Sequence, residues 1–243
     1  MIRAVLFDLD DTLCDDLNAA ETTVRAVAAH AREHLPGVSS NALTDAYNRL
    51  SDELWTTIDL VKPPRLTDVR KEMWRRALSD CGHEQEDLAL VDDLANLHVS
   101  LRHNAVQLSP GALETLDRLR VAGLRLALVT NGVSETHAEK IVALGIRDHF
   151  DAVLMPDEVG FAKPDARVFH LACERIGVAA SHAAHVGDNP ISDVVGAKGA
   201  GLFAIWFNPD GRKFPSRTPA PDAQVRALSE VPALVGVEAA ASR

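Results

Sequence analysis

The chain has 243 residues, a formal net charge of −10, 47% hydrophobic residues and 25% charged residues. This composition is typical of globular proteins, and the length suits one large domain or one domain with a substantial insertion. The acidic balance argues against binding to nucleic-acid polymers or anionic membranes, because phosphate-rich partners need a basic surface.

The three cysteines Cys14, Cys81 and Cys173 lack CxxC spacing, which is typical of free thiols in a reducing compartment. The first apolar run is broken at Asp8 and is too short for a secretory signal. No stretch approaches the roughly 20 apolar residues of a membrane span. We therefore expect a cytoplasmic protein without membrane contact; the sequence does not distinguish a monomer from a homodimer.

The chain opens on a short apolar run over residues 3–9, which predicts a buried strand that ends at an acidic cluster. From about Asn18 to His103 apolar residues recur at three- and four-residue spacing, which predicts a separate bundle of about four helices. The bundle is punctuated at Pro36-Gly37, Pro63-Pro64 and Cys81-Gly82.

Beyond residue 109 the pattern alternates between strands and helices. Ser109 is predicted to cap a helix at 113–120, with Pro110 in its first turn. Apolar runs predict strands at 124–129, 152–155, 183–186 and 203–207. Further helices are predicted at 135–144, 166–176, 192–198 and 228–234, with a frayed tail after Val237.

This alternation predicts an α/β fold with a mainly parallel sheet covered by helices on both faces. The first strand belongs to that sheet, so the helical bundle is an insertion into it. Parallel sheets bind ligands outside the carboxyl ends of their strands. We expect the inserted bundle to sit above those ends.

Polar motifs follow four of the predicted strands. The acidic segment 8–12 follows the first strand, Thr130-Asn131-Gly132 the second and Lys163-Pro164-Asp165 the third; the fourth is followed by the segment 187–193, which contains Asp188 and Asp193. Each motif alone also fits a turn or a helix cap. Because parallel strands end at one edge of the sheet, the four motifs are predicted to converge in one crevice.

In this order, with an insertion between the first and second motifs, these segments resemble the haloacid dehalogenase superfamily over nearly the whole chain. The position of the insertion resembles the helical-cap branch (subfamily I), which includes phosphoglycolate, nucleotide and acylneuraminate phosphate phosphatases. The resemblance implies a Rossmann-like catalytic core at 1–16 and 105–243 and an all-α cap domain at 17–104. Trp206-Phe207-Asn208 resembles the nucleotide and acylneuraminate phosphate members.

The resemblance also implies a phosphatase mechanism through an aspartyl-phosphate. Asp8 would be the nucleophile, and Asp10 would protonate the leaving alkoxide and then deprotonate the hydrolytic water. Mg²⁺ would be bound by the Asp8 carboxylate, the Asp10 backbone carbonyl and the Asp188 carboxylate, since this cation prefers oxygen ligands. The substrate would be a small phosphorylated metabolite such as a sugar phosphate, a nucleotide or a phosphoglycolate-like ester.

Three further roles are implied around the phosphoryl group. Thr130 would donate a hydrogen bond to a phosphoryl oxygen, helped by the backbone near Asn131. Lys163 would neutralise the nucleophile and the pentacoordinate phosphorus. Asp193 would orient a metal-bound water or Lys163 without binding the metal directly.

Two other functions remain open at this point. A phosphomutase of the β-phosphoglucomutase type would use the same four motifs and return the phosphoryl group to a sugar. A noncatalytic binding protein could keep the fold. Dehalogenases of the family lack an acid at the position of Asp10, so Asp10 favours a phosphatase.

Several other polar and aromatic residues are given structural roles. His137, His182 and His185 are predicted to be surface or packing residues, and Trp55, Trp74 and Trp206 to be packing residues. The segment 62–65 is predicted to be a solvated linker. Turn or capping roles are predicted for Asp11, Asp15 and Asp16.

Overall fold

The computed structural model describes residues 1–83 and 87–238. It divides the chain into two compact units, one comprising Met1–Asp15 and Gln107–Arg243 and the other comprising Asp16–Val106. We call these the sheet unit and the helical unit. Most of the predicted tail after Val237 lies outside the described residues.

The sheet unit is built on six parallel strands in the order β3-β2-β1-β4-β5-β6. This is the doubly wound order of Rossmann-like folds, and it confirms the predicted α/β class. The strands are apolar because helices cover both faces of a parallel sheet. Their bounds are β1 Ala4–Phe7, β2 Arg125–Val129, β3 Ala152–Leu154, β4 Ala183–Gly187, β5 Phe203–Phe207 and β6 Ala223–Val225.

Strand β1 lies at the point where the strand order reverses, with β2 on one side and β4 on the other. Phe7, its last residue, pairs with Leu128 of β2 and Val186 of β4. The residues that follow β1, β2 and β4 therefore leave the sheet side by side at its carboxyl edge. Ligands of doubly wound folds bind at such a switch point.

The helices of the sheet unit follow the predicted alternation. Their bounds are α5 Ala112–Val121, α6 Ser134–Ala143, α7 Pro156–Val159, α8 Ala166–Arg175, α9 Gly196–Gly199 and α10 Val231–Leu234. A π-helical turn at Pro190–Val195 precedes α9, and 3₁₀ turns span Arg147–His149, Ala180–His182 and Leu228–Glu230.

The predicted cap of α5 is wrong. Its N-cap residue is Gly111, which has a φ of 77° and makes no side-chain cap. The glycine takes this left-handed conformation at little steric cost, and it places the Ser109 carbonyl, not its hydroxyl, on the first helical amide at 3.0 Å. Strand β6 was not predicted, because three residues of mixed polarity give no periodic signal.

The helical unit confirms the predicted bundle of four helices. Ser39 caps α2 through the amide of Ala42, and Asp87 caps α4 through the amide of Leu90. Apolar residues at helical spacing form its core, among them Val27, Leu43, Trp74 and Leu94. The bounds are α1 Asp16–His34, α2 Ser40–Thr57, α3 Leu66–Asp80 and α4 Leu88–Ala105. No helix in the described part of the chain combines the length and apolarity that crossing a membrane requires.

Candidate active site

A buried ion cluster lies at the carboxyl edge of the sheet. The Lys163 ammonium donates to Asp8 Oδ1 at 2.5 Å and to Asp193 Oδ1 at 2.7 Å. The three side chains are 2%, 9% and 1% exposed, respectively. Residues from three distant segments of the sequence therefore form one cluster, with a single ammonium between two carboxylates.

Hydrogen bonds to the backbone of Asp8 and of Lys163 hold these two residues in position. The Asp8 amide donates to the Val186 carbonyl at 2.9 Å, which continues the ladder between β1 and β4. The side chain of Asn131 pairs with the backbone of Lys163: its Oδ1 accepts from the Lys163 amide at 2.8 Å and its Nδ2 donates to the Lys163 carbonyl at 2.9 Å. The predicted substrate-binding residue Asn131 thus holds Lys163 in place.

Thr130 is buried at the end of β2, and its hydroxyl oxygen accepts from the amide of Gly132 at 3.0 Å. That oxygen fixes the turn into α6, and the hydroxyl proton remains available for another acceptor. Asp11 sits in the turn after β1 with a φ of 58°. Aspartate tolerates this left-handed conformation better than most residues, and the turn carries the chain away from the strand end.

Asp193 is held from three sides. His185 Nε2 contacts its Oδ1 at 2.9 Å, and the Asn189 amide donates to its Oδ2 at 3.0 Å. The carboxylate also packs so closely on Gly187 that a Cβ there would lie 2.2 Å from the Asp193 Cγ atom. The prediction that His185 is a surface or packing residue is therefore incomplete, because this buried histidine bonds directly to the cluster.

Asp10 has two nitrogen partners from α6. His137 Nε2 contacts its Oδ2 at 2.8 Å, and the Lys140 ammonium donates to its Oδ1 at 2.8 Å. His137 is buried, which excludes the surface alternative of the surface-or-packing prediction and agrees with the packing one, but its contact with Asp10 goes beyond packing. Because the two residues are three apart on one helix, they face the same side of it, and this spacing is the signal that could have identified them.

Asp188 follows β4 and is held by residues of the segment after β5. Arg212 contacts Asp188 Oδ2 at 3.2 Å and its carbonyl oxygen at 3.1 Å. The indole of Trp206 donates to the same carbonyl at 2.8 Å, so this buried residue also supports the site. Asn208 holds Arg212 by two hydrogen bonds to its backbone, of 2.8 and 2.9 Å.

Burial gives these acids unusual proton affinities. Burial raises the pKa of Asp8 well above its ordinary value, with Lys163 opposing the effect and Asp193 adding to it. Burial and the nearby Asp193 raise the pKa of Asp188 to about 7, against the opposing effect of Arg212. Burial alone would raise the pKa of Asp193, but Lys163 and His185 hold it well below its ordinary value.

The acids could hold a hard cation. Asp8, Asp188 and Asp193 each place a carboxylate oxygen within 4.8 Å of the others. Asp193 already accepts hydrogen bonds from Lys163, His185 and the Asn189 amide. The pKa values of Asp8 and Asp188 are raised, because their present partners do not fully offset the cost of burying a negative charge. A divalent cation at Asp8 and Asp188 would relieve that cost, so the residues fit the predicted metal.

Comparison with known proteins gives consistent matches over the chain. A family model described as haloacid dehalogenase-like hydrolase matches residues 2–201. The chain is 33% identical to a phosphoserine phosphatase of Thermus thermophilus over 95% of this chain and 98% of that protein. Other curated relatives also carry phosphatase names.

Two solved structures share the fold at similar coverage. A crystal structure of the HAD-hydrolase YfnB from Bacillus subtilis, bound to magnesium, has a TM-score of 0.74 and 27% identity over 97% of this chain and 99% of that one. A 2-haloacid dehalogenase from Pseudomonas syringae has a TM-score of 0.67 and 32% identity over 97% and 98%. The chain therefore belongs to the haloacid dehalogenase-like hydrolase family.

Proposed function

We propose that this chain is a magnesium-dependent phosphatase that hydrolyses a small phosphorylated metabolite through an aspartyl-phosphate on Asp8. The observation that carries the proposal is the desolvated Asp8 carboxylate at the switch point of the sheet, with Lys163 at 2.5 Å and two further acids, Asp10 and Asp188, beside the same strand ends. The phosphatase names of the curated relatives support the reaction class.

The first step forms a bond between an Asp8 carboxylate oxygen and phosphorus while the ester P–O bond breaks. Lys163 holds Asp8 in a single rotamer and supplies positive charge beside the oxygens that become more negative. Asp10 gives a proton to the departing alkoxide oxygen. The Thr130 hydroxyl donates a hydrogen bond to a phosphoryl oxygen.

The second step releases inorganic phosphate and restores Asp8. A water molecule attacks phosphorus, Asp10 takes a proton from that water, and the bond between phosphorus and the Asp8 oxygen breaks. Asp193, with both its oxygens bonded, keeps Lys163 in place through both steps.

Mg²⁺ would be held by the carboxylates of Asp8 and Asp188 and the backbone carbonyl of Asp10. When bound it supplies charge neutralisation between the carboxylates and the phosphate, which otherwise repel each other. The support for this assignment is the oxygen-only donor set and the raised pKa values of Asp8 and Asp188.

We assign catalysis to residues 1–16 and 105–243, since the predicted catalytic, phosphate-binding and metal-binding residues belong to the sheet unit. Residues 17–104 are assigned to substrate selection as a helical cap. Insertions of this kind control access of water and substrate in enzymes that close over their ligands.

The test is phosphate release from a panel of sugar phosphates, nucleotides, phosphoserine and phosphoglycolate, with Mg²⁺ or with a chelator. We expect turnover of at least one ester with Mg²⁺ and none after chelation. The matched variants are Asp8→Asn, expected to be inactive, and Asp117→Asn on the exposed surface, expected to be fully active. Lack of phosphate release from every ester would sink the proposal, and isomer conversion with little free phosphate would indicate a mutase.

A second candidate is hydrolysis of a carbon–halogen bond, which the similarity to a 2-haloacid dehalogenase favours. A halide leaves without protonation, so that reaction gives no function to Asp10 or to a cation at Asp188. Halide release from 2-haloacids in chelator, measured beside the phosphate panel, separates the two reactions.

A further inference from the structure

Asp10 is the one proposed catalytic acid with partial exposure, since its side chain is 29% exposed whereas that of Asp8 is 9% exposed. Its two oxygens are engaged separately by His137 and by Lys140, each at 2.8 Å. The two partner side chains are only 8% and 12% exposed, so they are fixed more firmly than the acid that they contact.

The start of helix α6 holds these two partners in position. The Asp157 carboxylate accepts from the Ser134 amide at 3.1 and 3.2 Å and from the Ser134 hydroxyl at 2.5 Å, at the first residue of the helix. Thr136 Oγ1 contacts the other ring nitrogen of His137 at 3.1 Å. While Asp10 is ionised it only accepts hydrogen bonds, so in that state the nitrogen that faces it, Nε2, carries a proton.

The glycine of the second motif provides the space for this histidine. A Cβ at Gly132 would lie 1.8 Å from His137 Nε2, so the ring occupies the place of a side chain at that position. The same turn contains Thr130, the proposed phosphate ligand, whose hydroxyl oxygen accepts from the Gly132 amide. The turn after β2 therefore contributes both to the position of His137 beside Asp10 and to the proposed phosphate-binding site.

We propose that His137 and Lys140 are positioning residues that hold the Asp10 carboxylate in the rotamer from which it exchanges protons with the leaving group and with water. Asp10 Oδ1 also accepts a long hydrogen bond from the Cys14 thiol at 3.8 Å, whereas His137 is the partner of Oδ2. A carboxylate oxygen has two lone-pair directions, so the bond from His137 leaves one direction of Oδ2 for the reacting proton. A surface aspartate without such partners would distribute over several rotamers and would be aligned only part of the time.

This inference rests on the proposed phosphatase function, and its test uses leaving groups of different quality. An alkyl alkoxide needs a proton in order to leave, whereas a 4-nitrophenolate leaves without one. Misplacing Asp10 should therefore lower kcat/KM, which reports the first step, much more for alkyl phosphates than for 4-nitrophenyl phosphate. The second step is common to both substrates and affects kcat alone. A general loss of structure would slow both substrates alike.

For His137→Ala we expect kcat/KM on the best alkyl ester to fall at least about 10-fold, part of the 10²–10⁴-fold that general acid–base catalysis contributes. We expect a fall of less than about 3-fold on 4-nitrophenyl phosphate. His137→Gln places an amide donor near the lost Nε2 and should restore most of the alkyl rate. Lys140→Met should show the same selectivity as His137→Ala.

The controls are His149→Ala and Lys198→Met, which break His–Asp and Lys–Asp pairs of 3.0 and 2.6 Å elsewhere in the sheet unit. Neither should change the ratio of alkyl to aryl turnover. In an Asp10→Asn background, His137→Ala should cost little more, because the group that it positions is already gone.

Equal losses of kcat/KM on both substrates, additive losses in the Asp10→Asn background, or faster turnover by His137→Ala would each overturn this inference while leaving the phosphatase function intact. A wild-type chain that hydrolyses no phosphate ester would overturn the proposed function and this inference with it.

Discussion

At the scale of single residues, the site is organised around one buried cation, Lys163, shared by two buried acids. Two carboxylates this close would repel each other and protonate without the ammonium. Although burial alone would lower the pKa of Lys163, Asp193 and Asp8 raise it above its ordinary value. The lysine is therefore charged at any physiological pH. Its removal would leave the Asp8 and Asp193 carboxylates buried without their shared cation.

Lys163→Met should lower the free energy of unfolding by about 2–4 kcal/mol at pH 8, measured by urea denaturation in chelator, because a buried charge loses its partner. The loss should shrink at pH 5, where the abandoned carboxylates protonate more readily. Lys198→Met, which breaks a partly exposed pair with Asp222, should cost less than about 1 kcal/mol. An equal cost for both variants would contradict this account.

Asp8→Asn should abolish phosphate release, by at least about 10³-fold in kcat, because an amide oxygen is a poor nucleophile toward phosphorus. The substitution also removes a buried negative charge beside Asp193, so the folded state should not be weakened much. Thermal unfolding of the variant and of wild-type measures whether stability changes. Residual covalent phosphorylation of the variant, detected by mass spectrometry of quenched reactions, would show that another residue is the nucleophile.

At the scale of elements, the strands and helices form where their apolar periodicity predicts them, and deviations occur where local chemistry is stronger than periodicity. Gly111, not Ser109, is the N-cap residue of α5 because only glycine takes a φ of 77° at little cost. The predicted helix at 192–198 begins as a π-helical turn over Pro190–Val195. Asn189 caps that turn and its amide also bonds Asp193, so the local distortion serves the site.

The helical unit contains a buried histidine on α4 that should make its stability depend on pH. His98 packs against Tyr47 and Trp74, with ring centroids 5.3 and 6.0 Å away, and its Nδ1 has no hydrogen-bond partner among the described residues. Burial, with smaller effects from Arg70 and Arg102, lowers its pKa to about 3. The neutral ring is therefore the form that the folded bundle accommodates.

Because the folded pKa of His98 lies below the unfolded value of about 6.5, its contribution to stability is complete above that pH and is lost progressively as pH falls toward 3. We expect wild-type to lose about 1–2 kcal/mol more than His98→Gln between pH 7.5 and pH 5, by urea denaturation in chelator. His103→Gln, at an exposed position near the end of the same helix, is the control. Parallel pH profiles for wild-type and His98→Gln would refute the assignment.

At the scale of the whole molecule, the proposed metal site at the sheet edge would couple metal binding to folding. A cation that binds only the folded chain stabilises it in proportion to the logarithm of its concentration over the dissociation constant. Asp188 is 18% exposed and is opposed in the structure by the half-exposed Arg212, which occupies one of its carboxylate oxygens. Mg²⁺ bound as proposed would therefore compete with the guanidinium for the same acid.

Saturating Mg²⁺ should raise the thermal midpoint of wild-type by several degrees, about 2–4 °C per kcal/mol of binding energy for a chain of this size. Asp188→Asn should remove most of that increase. Arg212→Ala should strengthen Mg²⁺ binding by about 2- to 5-fold, measured by calorimetric titration, because the competing cation is gone. Weaker binding by Arg212→Ala would mean that the arginine supports the metal.

How much of this protein follows from its sequence is clearest at the sheet edge. Apolar runs that end in polar motifs predict the mainly parallel sheet, the inserted helical bundle and the convergence of Asp8, Thr130, Lys163 and Asp188. These predictions depend on local periodicity and on the geometry of parallel sheets. The family resemblance added the chemistry of each motif. Each apolar run and each polar motif has a local pattern that can be identified from its own segment of the sequence.

Only the tertiary structure decided which side chains support the motifs. His137 and Lys140 bond to Asp10 across 127 and 130 positions, and Arg212 reaches Asp188 across 24. Asn131 holds the backbone of Lys163, and His185 of β4 bonds to Asp193 of the π-helical turn. The spacing of His137 and Lys140 marks one face of α6 but does not identify Asp10 as their partner, because a hydrogen bond between elements depends on how those elements pack. Polar residues look alike in sequence whether they face solvent or a buried carboxylate.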